Sequence, residues 1–228
     1  MPLQEVTQYY HELHPDAFIK QPWNTYSSLF FFLPVIYWLW KLRGQYRQYP
    51  VLMTILPLAF LNGIGSTLWH ANNGGRLYGM LDVFPPLLMM LFLCVYFWRM
   101  AINSWGKAVL LMLVFLVVNI GLLYLLATFG GQSMAVNVYY LLMGVLVVTP
   151  NVWLLRKYHW QGWYEVALAL GFIGLALLFR SLDRPTPNPF PETLPQGTHF
   201  LWHLVSVGAM FPLGYYLIRL QKLHRAKA

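Results

Sequence analysis

Five side chains in this sequence are of the kinds that hold a metal and hydrolyse a carbonyl bond: Ser66, His70, Asp82, His199 and His203. Ser66 and His70 stand four residues apart in GIGSTLWHANN, a spacing that puts both on one face of a helix. Asp82 follows twelve residues after His70, so a helical hairpin would return its carboxylate beside the imidazole. HFLWH places His199 and His203 one turn apart, about 6 Å along a helix axis, which suits two ligands on one cation. Three neutral imidazoles leave a tetrahedral zinc with one open position, where water ionises at a pH of about 7. Asp82 is then the expected proton acceptor. Ser66, one turn deeper, is the expected hydroxyl donor to an oxyanion developing at the attacked carbonyl. An HxxxH pair also ligates haem or lines a polar groove, and a closed site with Asp82 as fourth ligand would make the metal structural.

The elements that must position these residues are membrane helices. The chain of 228 residues is 58% hydrophobic and 10% charged, with a mean hydropathy of +0.51, which excludes an ordinary soluble domain. At about 20 apolar residues per crossing, apolar runs predict seven helices: Thr25–Leu42, Val51–His70, Gly79–Phe97, Ala108–Thr128, Met134–Leu155, Tyr164–Phe179 and His199–Leu220. Lys41, Arg43, Arg47, Arg99, Lys107, Arg156, Lys157, Arg219, Lys222, Arg225 and Lys227 fall on one side, and Lys20, Arg76, Arg180 and Arg184 on the other. The positive-inside rule makes the richer side cytoplasmic, so the N-terminus is outside and the C-terminus inside. The expected fold is a single all-α, polytopic seven-helix domain. It has an outer N-terminal segment (1–24), an extended Pro-rich outer loop (184–198) and a basic cytoplasmic tail (221–228). His70, Asp82, His199 and His203 then share one depth near the outer face, where ionisable groups within helices are costly and functional.

Other features narrow the classes. Cys94 is the single cysteine, which rules out an intramolecular disulfide and a thiolate zinc cluster. The net charge of +8 sits in loops rather than on a basic face, so no nucleic-acid partner is expected. MPLQEVTQYYHELHPDAF has no signal-peptide pattern, so the first helix is expected to direct insertion. The last helix has no interior lysine for a retinal Schiff base, since Lys222 lies at its end. Trp23, Trp38, Trp40, Trp105, Trp153, Trp160 and Trp163 are expected at the membrane interfaces. His11, His14, His159 and His224 read as interfacial, Glu165 and Asp183 as solvated, and Asn24 as the group capping the first helix.

PWNTYSSL, GIGSTLWH with its later LD, the LD of Leu182 and Asp183, and HFLWHLVSVG occur in an order that resembles the alkaline ceramidases. That family sits within a wider superfamily of seven-helix membrane hydrolases that includes adiponectin-receptor-like proteins. The resemblance implies zinc on His70, His199 and His203, Asp82 as proton acceptor and Ser66 as oxyanion partner. It further implies hydrolysis of a long-chain N-acyl lipid that enters sideways from the bilayer. Animal members carry an acidic N-terminal calcium site with a glutamate where this chain has Gln21, and only Glu5, Glu12 and Asp16 remain here, so calcium is not expected. An esterase or phospholipid acyl hydrolase, and a lipid receptor with structural metal, are the competing functions. The expected partner is a membrane lipid rather than an obligate protein. The expected location is a bacterial plasma membrane with the site near its outer face, or an ER or Golgi membrane with the site facing the lumen.

Overall fold

A computed structural model describes residues 10–129, 132–183 and 187–226, and every regular element among them is helical. The first rod joins α1 (Pro22–Ser28), a 3-10 turn (Leu29–Phe31) and α2 (Phe32–Lys41). It is followed by α3 (Pro50–Asn72), α4 (Arg76–Ile102), α5 (Trp105–Phe129), α6 (Gln132–Lys157), α7 (Trp163–Leu182) and α8 (His199–Arg225). Local chemistry sets several of these boundaries. Pro22 and Pro50 open α1 and α3, where a missing N–H costs nothing. Asn73 ends α3 in the left-handed region (φ 50°), and Gly75, at φ 99°, turns the chain into α4. Asn103 (φ 55°), then His159 and Trp160 (φ 54° and 62°), play the same part after α4 and α6.

Five helices among the described residues are long and apolar enough to cross a membrane: α3, α4, α5 over Trp105–Leu126, α7 and α8. The 23 residues of α3 reach about 35 Å at about 1.5 Å per residue, against an apolar bilayer core of about 30 Å. Large apolar side chains along α5, such as Val117, Ile120 and Tyr124, are more than 60% exposed, which marks a surface made for lipid. The chain is an integral membrane protein. Expected and observed ends differ by a few residues: α4 runs from Arg76 to Ile102, and α8 extends through the expected basic tail as far as Arg225. Arg184, Lys227 and Glu5 lie outside the described residues.

The chain divides into two compact units, one of residues 1–89 with 164–228 and one of residues 90–163, and α4 runs from the first into the second. In the first, α1 packs on α3 and α8. Trp38, Leu52, Ile55, Leu56, Ala59, Leu217 and Leu220 fill its core. Trp38 therefore departs from the interfacial role expected of it: it is 1% exposed and gives its indole N–H to the Met210 carbonyl at 3.3 Å. Its ring rests on Gly214, where a Cβ would collide with it. Trp23, Trp40, Trp105, Trp153, Trp160 and Trp163 are half or more exposed, as interfacial indoles should be. In the second unit Cys94, Met112, Met143 and Leu146 form the core, and Trp98 donates to the Leu146 carbonyl at 3.1 Å.

The Pro-rich loop also departs from its expected extended form. From Pro187 onward it is a run of turns, because Asn188 Nδ2 donates to the Leu194 carbonyl at 2.7 Å and Leu194 N to the Phe190 carbonyl at 2.8 Å.

Candidate metal centre

The three histidines meet in the first unit. His70, near the end of α3, and His199 and His203, in the first turns of α8, each offer a ring nitrogen, and these ligand atoms all lie within 4.8 Å of one another. Ring centroids are 5.1 Å apart for His70 and His199, 5.0 Å for His70 and His203, and 4.7 Å for His199 and His203. All three side chains are buried, His70 to 0% exposure. Three imidazoles in van der Waals range without an apolar core between them form an arrangement suited to a shared cation.

Hydrogen bonds behind the rings select which nitrogen faces inward. Gln21 Nε2 donates to Asn73 Oδ1 at 2.5 Å, which turns its Oε1 toward α3. That oxygen accepts His70 Nδ1–H at 2.6 Å and Asn24 Nδ2–H at 3.1 Å. The proton on Nδ1 leaves His70 Nε2 with its lone pair, buried and without a hydrogen-bond partner, aimed as a metal ligand would be. His203 is held likewise from α1. Ser27 and Ser28 give their hydroxyl protons to the Asn24 carbonyl at 3.1 and 2.7 Å. Their oxygens then accept His203 Nδ1–H at 2.8 and 3.2 Å. The residues present therefore fit a divalent metal with nitrogen ligands: two of the three rings are fixed in the tautomer that frees Nε2.

The starts of α1 and α8 are each capped by a carboxylate from elsewhere in the chain. Glu12 accepts the backbone N–H groups of Trp23 and Asn24 at 2.7 and 2.9 Å, at the positive end of α1. Asp183 Oδ1 accepts those of Thr198 and His199 at 2.8 and 3.1 Å, at the start of α8. Both carboxylates are buried, 2% and 3% exposed, and burial pushes both above the usual carboxylate range. Two expectations are corrected here. Asp183 is not solvated, because α8 needs an acceptor at its first turn and the end of α7 supplies it. Asn24 does not cap the first helix, because Glu12 takes those donors and Asn24 turns inward to Gln21. Glu165, the other residue expected in water, is ion-paired with Arg219 at 2.5 Å. Asp16 is exposed.

Ser66 is linked to His203 through Ser28, and Asp82 is linked through Ser66; neither belongs to the histidine ligand group. Ser66 Oγ is 3.0 Å from Ser28 Oγ and within hydrogen-bonding range of the Asp82 carboxyl. Backbone geometry brings them together. A Cβ on Gly65 would fall 2.5 Å from Asp82 N and nearer still to Leu81, so only glycine lets α3 and α4 cross this closely. Pro85 and Pro86 inside α4 cannot donate to the carbonyls four residues earlier, and the freed Asp82 carbonyl is taken by Asn62 Nδ2 at 2.8 Å.

Reasoning from sequence missed several parts of the site. Tyr10, in the outer segment, lays its ring 4.1 Å from that of His199 and 5.0 Å from that of His70. Burial, with the charge of Asp82 as a second cause, pushes its phenol up to about 12. Arg180, read only as a topological charge, stands 5.1 Å over the Trp202 ring, and its charge reaches Asp82. Gln21, Ser27 and Ser28 carried no spacing signal of their own. Of the histidines read as interfacial, His11 is packed beside Asp183 against Gly197, and His14 is exposed.

No family model matches the chain, and no curated protein sequence matches it either.

Proposed function

We propose that this chain is a zinc-dependent intramembrane hydrolase that releases a fatty acid from an N-acyl lipid, in the manner its resemblance to the alkaline ceramidases implies. The observation that carries the reading is the buried triad of imidazoles, with ligand nitrogens within 4.8 Å of one another and Nδ1 protons held by Gln21, Ser27 and Ser28. In this reading the rod Pro22–Lys41 and α6 cross the bilayer along with the five apolar helices, which makes seven spans. The basic ends of α2, α6 and α8 then face the cytoplasm and the histidines lie near the outer face of a plasma membrane.

His70, His199 and His203 would hold the zinc, which when bound would supply Lewis acidity toward a carbonyl oxygen and bring the ionisation of water to a pH of about 7. The chain's own residues do the rest. Asp82, held by Asn62 through its carbonyl and faced by Ser66, accepts the proton of the attacking water and returns it to the departing nitrogen. Ser66 can turn its hydroxyl hydrogen from Asp82 or Ser28 to the oxygen of the attacked carbonyl. The buried surroundings exclude bulk water and strengthen each of these interactions.

The test is detergent-purified protein assayed for zinc by mass spectrometry and for turnover of a fluorescent long-chain ceramide, with ester and phospholipid substrates alongside. The expected result is about one zinc per chain, amide hydrolysis, and loss of both in His203→Ala. Full activity in His203→Ala, or after complete metal removal, overturns the proposal. Tight zinc without turnover of any lipid assigns the metal a structural role instead.

A further inference from the structure

We propose that Tyr10 is the outer wall of the lipid site and donates a hydrogen bond to the polar head of the bound substrate, an inference that rests on the hydrolase reading. The residue lies twelve positions before α1, in a segment to which the spacing of the helices assigns no chemistry. Its ring nonetheless covers the outer side of two of the three imidazoles, 4.1 Å from His199 and 5.0 Å from His70 by centroids.

The strap that carries it is fastened at several points. Glu12, two residues on, is bound to the Trp23 and Asn24 N–H groups. His14 N donates to the Lys20 carbonyl at 2.8 Å, which closes a loop, and Lys20 N donates to the Ala71 carbonyl at 2.9 Å, which ties that loop to α3 one residue beyond His70. Tyr10 is thus placed by the same segment ends that place His70, and the two should move together.

The phenol is oriented as well as placed. Trp69, on α3, is in side-chain hydrogen-bonding range of Tyr10, and an indole N–H can only donate. A phenol oxygen that accepts the Trp69 N–H keeps its own hydrogen to give away. Trp69 is seated against Gly79, where a Cβ would lie 2.9 Å from its ring, so the donor has a defined seat. The acidic group whose charge weighs most on Tyr10 is Asp82, the proton acceptor of the reaction. Asp82 is thus within electrostatic reach of the Tyr10 phenol and within hydrogen-bonding range of Ser66, which also meets Ser28. A lipid whose acyl chain lies in the membrane presents its polar head on the outer side, where the proposal places the Tyr10 O–H.

The experiment separates the hydroxyl from the ring. Wild type, Tyr10→Phe and Tyr10→Ala are compared for zinc affinity, thermal unfolding, steady-state kinetics, and binding of fluorescent long-chain ceramide to zinc-free protein. Tyr10→Phe is expected to keep wild-type zinc affinity and unfolding temperature, to weaken ceramide binding to zinc-free protein about tenfold, and to raise KM by a similar factor. Tyr10→Ala, which uncovers the imidazoles, is expected to weaken zinc binding in addition. Unchanged ceramide binding in Tyr10→Phe overturns the proposal, since the ring alone would then suffice. Zinc loss in Tyr10→Phe also overturns it, by making the hydroxyl a support of the metal centre. So does an absence of ceramide binding in the zinc-free wild type. Failure of the hydrolase reading is distinguishable, because it appears as zinc-loaded wild type that binds lipid and never cleaves it.

Discussion

Replacing Gly65 by alanine should separate the geometry of the site from the stability of the fold. The added methyl would sit 2.5 Å from Asp82 N, whereas ordinary contact begins at 3.4 Å, so α3 and α4 must part by about 1 Å at this level. Overpacking of this kind costs about 1–3 kcal/mol, and the gain in helix propensity from glycine to alanine returns up to about 1 kcal/mol. The net loss of stability is therefore modest. The chemistry is far less tolerant, because the same 1 Å moves Asp82 away from Ser66 and the imidazoles. Misplacement of that size costs about 10²-fold in rate. The assay pairs kcat for ceramide hydrolysis with zinc stoichiometry and an unfolding temperature. Gly171→Ala, where nothing lies within 4 Å of the added carbon, serves as the control. Zinc should stay bound to Gly65→Ala, since none of the three ligands rides on α4. If Gly65→Ala kept kcat to within about twofold, or if Gly171→Ala lost as much, the close crossing would not be what positions Asp82.

Two further outcomes follow from the groups behind the metal centre. Gln21→Leu removes the acceptor of His70 Nδ1–H and should weaken zinc affinity about 10–100-fold by chelator competition, while Gln21→Glu should not; equal affinity in Gln21→Leu would dismiss the tautomer argument. Glu12 is raised from 4.5 chiefly by burial, with the Asn24 and Trp23 N–H groups and His14 pulling it down and Asp183 pushing it up. A folded-state value above the unfolded one means the native strap holds the proton more tightly, so its contribution is full below 4.5 and declines as pH rises through the raised value. The unfolding temperature of wild type relative to Glu12→Gln should therefore fall as pH rises above 4.5, and a rise instead would contradict the burial argument.

The cluster of three histidines was legible in sequence because each part obeys a local rule. His199 and His203 share a face by helical spacing, and His70 ends an apolar run at a depth that the span length fixes. The apolar helices were legible for the same reason, since bilayer thickness dictates length and composition together. What the sequence hid was set by contacts distant along the chain. Asp183 looks like a loop residue beside water until α8 is seen to need an acceptor at its first turn. Trp38 looks like any indole near a helix end until Gly214 makes room for it inside. Glu12 and Tyr10 belong to a segment without periodicity, so no pattern announces that it folds back over the histidines. Gln21, Ser27 and Ser28 are of residue types common at helix starts, and only their partners, 49 and 175–176 positions away, give them a role.

The separation of the ligands along the chain bears on how the protein is made. His70 emerges early in synthesis, whereas His199 and His203 begin the last helix, 129 positions later. The histidine cluster cannot be whole until α8 has been inserted beside α3, so under the proposed function metal capture must follow insertion of α8. A chain that stalls before α8 would carry one of the three clustered histidines, His70, with the Tyr10 ring over it alone. If the proposed zinc binds there, its occupancy would report whether α8 has docked against α3, and zinc scarcity should accumulate chains in which it has not.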